Sequence, residues 1–286
     1  MVEFVLECKY DDKDININNI QKHTPTLEDP WLRKITVAGL PLYDQVCAHY
    51  NTTKWIHLHP QHNILMRFKL SHSDLEEFKR IGHIRCSSGR DFRKDDLEDF
   101  STALINFFQT GLTKFERVFI RFSYKSFKNS FSVGLRPLTN LNDIFDALTS
   151  SVDLLKNLNQ PEQEIFLMKW VDIEASREYR VFIIDGRLVG ISQQHCHTSY
   201  DIIGRNEIVK KDAHLIYQYY LSIFDKLNGL NFQTVTLDIF IDDQEYVNLI
   251  EANPPSLWGP AGSSLFTEED FLFKFNQNDK IFVRYK

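Results

Sequence analysis

Two carboxylates and an amide stand where a buried hairpin would carry apolar side chains. In the stretch 237–255, LDIFIDDQEYVNLIEANPP, Asp238 interrupts the first apolar run, and Glu251 and Asn253 close the second. A four-residue loop over 243–246 would pair Asp242 with Val247, Phe240 with Leu249 and Asp238 with Glu251. Side chains alternate along a strand, so these pairs share one face, which Asn253 continues. Carboxylates opposed at about 5 Å repel, which raises one pKa or calls for a cation. Two carboxylates and an amide oxygen suit a hard divalent ion such as Mg²⁺, commonly shared with phosphate oxygens. The plainer alternative puts Asp238 on a solvated face, with Glu251 and Asn253 opening a loop.

Phosphate would need further cations, because neither a GxxxxGK[ST] loop nor a GxGxxG turn after a strand is present. The candidates are Arg121, Lys125, Lys128, Lys169, and Arg177 or Arg180. Most such side chains only solvate a surface. Arg121, Lys169 and Arg180 differ in lying inside apolar strand-like runs, where a cation more often meets a partner or ligand. Histidines offer a rival chemistry: His57, His59 and His62 cluster in WIHLHPQH, and His195 and His197 flank Cys196. On strands, His57 and His59 would share a face, as would His195 and His197, which makes zinc conceivable. The usual zinc spacings are missing, so structural histidines and an inert thiol are the simpler reading.

The elements that must hold these groups alternate between helix and hairpin. DDLEDFSTALINFFQTG (95–111) reads as a helix capped by Asp95 or Asp96 and stopped by Gly111. Residues 116–124 read as a strand, followed by the basic loop KSFKNSFS. A second helix covers LTNLNDIFDALTSSVDLL, and residues 164–172 form another strand. EYRVFII-DG-RLVGISQ is a hairpin whose Asp185-Gly186 suits a type I′ turn. NEIVKKDAHLIYQYYLSIFDKL is a long amphipathic helix. Antiparallel hairpins among helices predict an α+β fold rather than a doubly wound parallel sheet.

The 286 residues, 43% hydrophobic and 25% charged, fit a globular chain of one large or two small domains. The 23 phenylalanines predict an aromatic-rich core. A net charge of −6 argues against nonspecific nucleic-acid binding, which needs a broad basic surface. Cys8, Cys47, Cys86 and Cys196 form no CxxC pair, which favours a reducing compartment. No signal peptide and no membrane-spanning run is evident, so a cytoplasmic protein is expected.

Three ordered blocks resemble a known family. VFIRFSYKSFKNS, FLMKWVDIEASREYRVFIIDGRLVGISQ and TLDIF…VNLIEANP…SSLF are similar to the strand and phosphate-covering loop, the hinge strand with its E-[FY]-R element, and the metal-binding hairpin of the cell-division-cycle ATP-grasp family. Members of that family act as assembly factors for eukaryotic translation initiation factor two. The resemblance implies an ATP-grasp fold, with nucleotide held between two α+β subdomains. It divides the chain into an N-terminal region (1–112) completing or flanking the fold, a smaller subdomain (113–165), a larger one (166–270) and a short tail (271–286). It implies Mg²⁺ on Asp238, Glu251 and Asn253. Phosphate would meet Arg121 and Arg180, under a loop from Ser123 through Lys125 to Lys128. Lys169 and the backbone near Trp170 would face adenine, and Asp172 the ribose. It further implies a monomer that docks on the gamma subunit of the initiation factor. Arg121 replaces the family's usual Lys, Glu251 its commoner Asp, and Gln194 a common basic residue. An ATP-grasp ligase, coupling a carboxylate to an amine or thiol through an acyl phosphate, is the alternative activity.

Overall fold

The computed structural model describes residues 2–8, 48–58, 64–160, 162–195, 198, 200, 204–254, 265–266, 275 and 279–286. His59, His62, Cys47, Cys196 and His197 lie outside these, as do Ser263 and Ser264. The described strands are β1 (Glu3–Cys8), β2 (Ile64–Lys69), β3 (Val118–Phe122), β4 (Glu164–Lys169), β5 (Glu178–Ile184), β6 (Arg187–Gln193), β7 (Val235–Ile241), β8 (Val247–Asn253) and β9 (Lys280–Tyr285). The described helices are α1 (Thr52–Trp55), α2 (His72–Ser88), α3 (Thr102–Phe115), α4 (Leu141–Ser150), α5 (Val152–Asn157) and α6 (Arg205–Gly229). None is long and apolar enough to cross a membrane.

The chain forms two units, one of residues 1–59 with 173–286, the other of residues 60–172. In the first, six strands run in the order β1-β9-β6-β5-β7-β8. The β5–β6 hairpin turns as the sequence predicts, with Asp185 at φ 50° and Gly186 at φ 74°. One face is covered by α6, whose buried Val209, Ala213, Ile216, Tyr220, Ile223 and Leu227 recur at helical spacing. Asp212 interrupts that stripe, fully buried, and accepts hydrogen bonds from Tyr179 Oη at 2.7 Å and Arg177 Nη2 at 2.5 Å. Arg177 is therefore a staple between sheet and helix. Residues 280–285, read from sequence within a tail, form β9 inside the sheet, parallel to both β1 and β6.

In the second unit, the antiparallel sheet β2-β4-β3 packs against α2 to α5. Its core joins Phe78, Phe100, Phe108, Phe122 and Phe145, so the abundant phenylalanine is where composition predicted. Ser101, not Asp95 or Asp96, caps α3. Gly111 does not stop that helix; a Cβ there would meet Leu167 Cδ2 at 2.7 Å, so glycine lets α3 approach β4 closely. The second helix expected from sequence is two, broken at Ser151. His57 sits in a 3₁₀ turn rather than a strand. The unit boundaries near 60 and 173 differ from the sequence divisions at 113 and 166. Helices α2 and α3 share one core with β3 and β4, so the later part of the 1–112 region completes the second unit.

Candidate functional site

A polar row crosses the six-stranded sheet. Register pairs Glu7 with Arg284, Arg284 with Ser192, Ser192 with Arg180, Arg180 with Asp238 and Asp238 with Glu251. Pairing by register places all six on one face, opposite the Tyr179 face that meets α6. The expected opposition of Asp238 and Glu251 is present, but its derivation needs correction. The β7–β8 loop runs over residues 242–246, closed by Asp242 N donating to Tyr246 O at 3.1 Å. Phe240 therefore pairs with Asn248, not Leu249, and Ile241 rather than Asp242 pairs with Val247. A bulge then adds Ile250 to β8 and brings Glu251 back opposite Asp238.

Arg180 and Asp238 are each 3% exposed and joined bidentately, Nε to Oδ1 at 2.8 Å and Nη2 to Oδ2 at 2.9 Å. Burial disfavours charge on Arg180, but attraction to Asp238, with Glu251 and Glu178 beyond it, outweighs burial and raises its pKa. Asn253 Nδ2 donates to Asp238 Oδ2 at 3.2 Å and to Glu251 Oε1 at 3.1 Å. One amide donor thus marks a point where both carboxylates converge. Rotating that amide would bring a third oxygen to the point, so the donor set fits Mg²⁺. Among the described residues no three His, Cys, Asp or Glu side chains converge as a metal set, so the shelf depends on its asparagine.

Beside the shelf, Glu178 Oε2 lies 2.8 Å from His195 Nε2. Burial raises the Glu178 pKa, and Asp238 adds to the shift, against the opposing pull of His195 and Arg180. The folded state therefore holds the Glu178 proton more tightly than the unfolded chain. Its stabilising contribution is full below the ordinary glutamate range and is lost as pH rises through the raised value. Glu178→Gln should consequently gain on the parent in melting temperature as pH rises from about 4, the ordinary glutamate range, through the raised value. A constant difference in calorimetric scans across that range would refute this linkage.

The remaining predicted residues lie in the second unit. Arg121 on β3 is 4% exposed, not offered to bulk water. Ser123 is structural: its Oγ donates to Glu162 O at 3.1 Å and accepts from Glu164 N at 2.9 Å. Lys125 is half-buried, while Lys128 and Lys169 are exposed. Trp170 Nε1 donates to Asp172 Oδ1 at 2.8 Å. Asp172 also receives Arg117 through Nη1 to Oδ2 and Nη2 to Oδ1, both at 2.9 Å. These bonds, Arg117 foremost, hold the Asp172 carboxyl below its usual range. Sequence reasoning missed Arg117, Ser192 and Arg284. Arg284 alone left a signal, a cation inside the apolar run IFVRY.

The two sheets and their covering helices define an α+β protein. The chain belongs to the D123 family, whose model matches residues 138–284. Two relatives named translation initiation factor eIF2 assembly protein are similar to it. The Dictyostelium discoideum one is 31% identical over 41% of this chain and 32% of its own length. The Xenopus laevis one is 27% identical over 54% and 48%. The chain thus spans about half the length of these relatives or less. Among solved structures, Cdc123 from Schizosaccharomyces pombe aligns with TM-score 0.62 at 16% identity, covering 86% of this chain and all of that one. At that identity the likeness speaks for the fold alone.

Proposed function

We propose that this protein binds Mg·ATP and acts as a cytoplasmic assembly factor, docking as a monomer on the gamma subunit of initiation factor two. The observation that carries the nucleotide half is the convergence of Asp238, Glu251 and Asn253 beside Arg180 on one sheet face. The names of the family's curated relatives support the partner half. Free thiols at Cys8 and Cys86 suit a reducing cytosol.

In this reading Asp238, Glu251 and Asn253 would hold Mg²⁺, which neutralises phosphate oxygens when bound. Arg180 and Arg121 add buried positive charge, and Lys125 and Lys128 add charge from the loop after β3. Lys169 and the backbone near Trp170 face the base, and Asp172 accepts from the sugar. Ser123, whose Oγ ties its loop to β4, opens the loop that would cover the phosphates.

Calorimetric titration with Mg·ATP tests the nucleotide half. Saturable one-site binding is expected. Glu251→Gln should weaken it by at least the ~10–100-fold typical of disturbed metal sites. No binding at two temperatures would sink the reading. Failure to recover the gamma subunit from a eukaryotic lysate would sink the partner half. ATP turnover only with added carboxylate and amine would instead favour the ligase.

A further inference from the structure

Beyond the end of β4, one exposed carboxylate is held with unusual care. Trp170 N donates to Arg117 O at 2.9 Å, extending the β3–β4 pairing past both strands. That brings the Arg117 side chain to Asp172, where its fork binds both carboxylate oxygens at 2.9 Å. Trp170 Nε1 adds a third donor at 2.8 Å. Yet the pair is open to water, with side-chain exposures of 46% for Arg117 and 73% for Asp172. An ion pair so exposed contributes little to stability. Its consequence is orientation: a planar fork fixes a carboxylate and the edge of an indole side by side.

A fixed aromatic face next to a fixed acceptor suits a ribonucleoside, whose base stacks and whose sugar hydroxyls donate. The acceptor inventory is specific. Oδ1 already takes Arg117 Nη2 and Trp170 Nε1, whereas Oδ2 takes Arg117 Nη1 alone. An ionised carboxylate oxygen accepts about two hydrogen bonds. Oδ2 therefore keeps an acceptor direction for one hydroxyl, and Arg117 sets where it points.

We propose that Arg117 is a positioning residue that aims Asp172 at the sugar of the bound nucleotide, and so sets a preference for ribose over 2′-deoxyribose. This rests on the Mg·ATP reading above. Arg117 need not touch the nucleotide. Lysine could not replace it fully, because a point charge cannot hold both oxygens in one plane.

The test is calorimetric titration of the full chain with Mg·ATP and with Mg·2′-deoxy-ATP. The parent should prefer ATP by roughly tenfold, the scale of one hydrogen bond to a charged group. Arg117→Gln should bring the two affinities to within about twofold, and Arg117→Lys should fall between. Because the pair is exposed, the melting temperature of Arg117→Gln should match the parent, which separates positioning from folding. A parent without preference, or an Arg117→Gln protein that keeps or widens it, would overturn the proposal while leaving nucleotide binding intact. A parent that binds neither nucleotide would instead defeat the underlying reading, and this proposal with it.

Discussion

Asp238→Ala should lower the free energy of unfolding by about 3–5 kcal/mol, the cost of leaving a buried charge without its partner. Arg180 is 3% exposed and gives two donors to that carboxylate. Removing only the acid takes this bidentate acceptor from a buried guanidinium that cannot readily shed its proton. The measurement is a urea titration of parent and variant. A double variant, Asp238→Leu with Arg180→Met, should recover most of the loss, since an apolar pair of similar volume often replaces a buried ion pair without penalty. If the double variant is as unstable as the two single losses added, the pair is not acting as a unit. The double variant should be stable yet unable to bind Mg·ATP. That outcome would mean that the pair is retained for its ligand rather than for the fold.

Phe145→Ala should cost a similar about 3–5 kcal/mol, here through a cavity. Phe145 is fully buried, with ring centroids of Phe100 at 4.5 Å, Phe108 at 5.4 Å, Phe78 at 5.9 Å and Phe92 at 6.0 Å. Four rings held by the helices and turns around them cannot all collapse into the space it leaves. The control is Phe131→Ala, whose ring is 57% exposed and should change stability by no more than about 0.5 kcal/mol. Equal urea midpoints for the two variants would contradict the packing account.

Some of this architecture is legible in the sequence because its signal is local. The Asp185-Gly186 turn is written in two residues that tolerate positive φ. The opposed acids were read correctly because two one-residue departures cancel, since either alone would turn one acid to the other face. The turn is one residue longer than expected, and the bulge at Ile250 restores the acid pair. Neither feature has a sequence mark, so the pairing was right while the register near the turn was wrong. Helix α2 was missed because buried Asp74 and Arg85 break its apolar stripe; Arg85 is 1% exposed and donates to Thr149 Oγ1 at 2.6 Å. Gly111 looked like a stop because a glycine needed for close packing has the same letter as one that ends a helix. Arg117 gave no sign at all, since an exposed arginine before a strand is unremarkable until its carboxylate is seen.

The strand pair β1–β9 also constrains when the protein can form. Arg284 Nε donates to Glu7 Oε2 at 2.7 Å across 277 positions of chain. On a ribosome, the β5–β6 and β7–β8 hairpins can close soon after they emerge. The sheet's other edge must wait, because β9 separates β1 from β6 and is made last. Until then β6 presents an unpaired edge to its surroundings, and β1 has no strand to join. Closing so long a loop is slow rather than forbidden, since its entropy grows only with the logarithm of length. A protein read here as helping another to assemble therefore has an assembly interval of its own, during which an open strand edge needs protection.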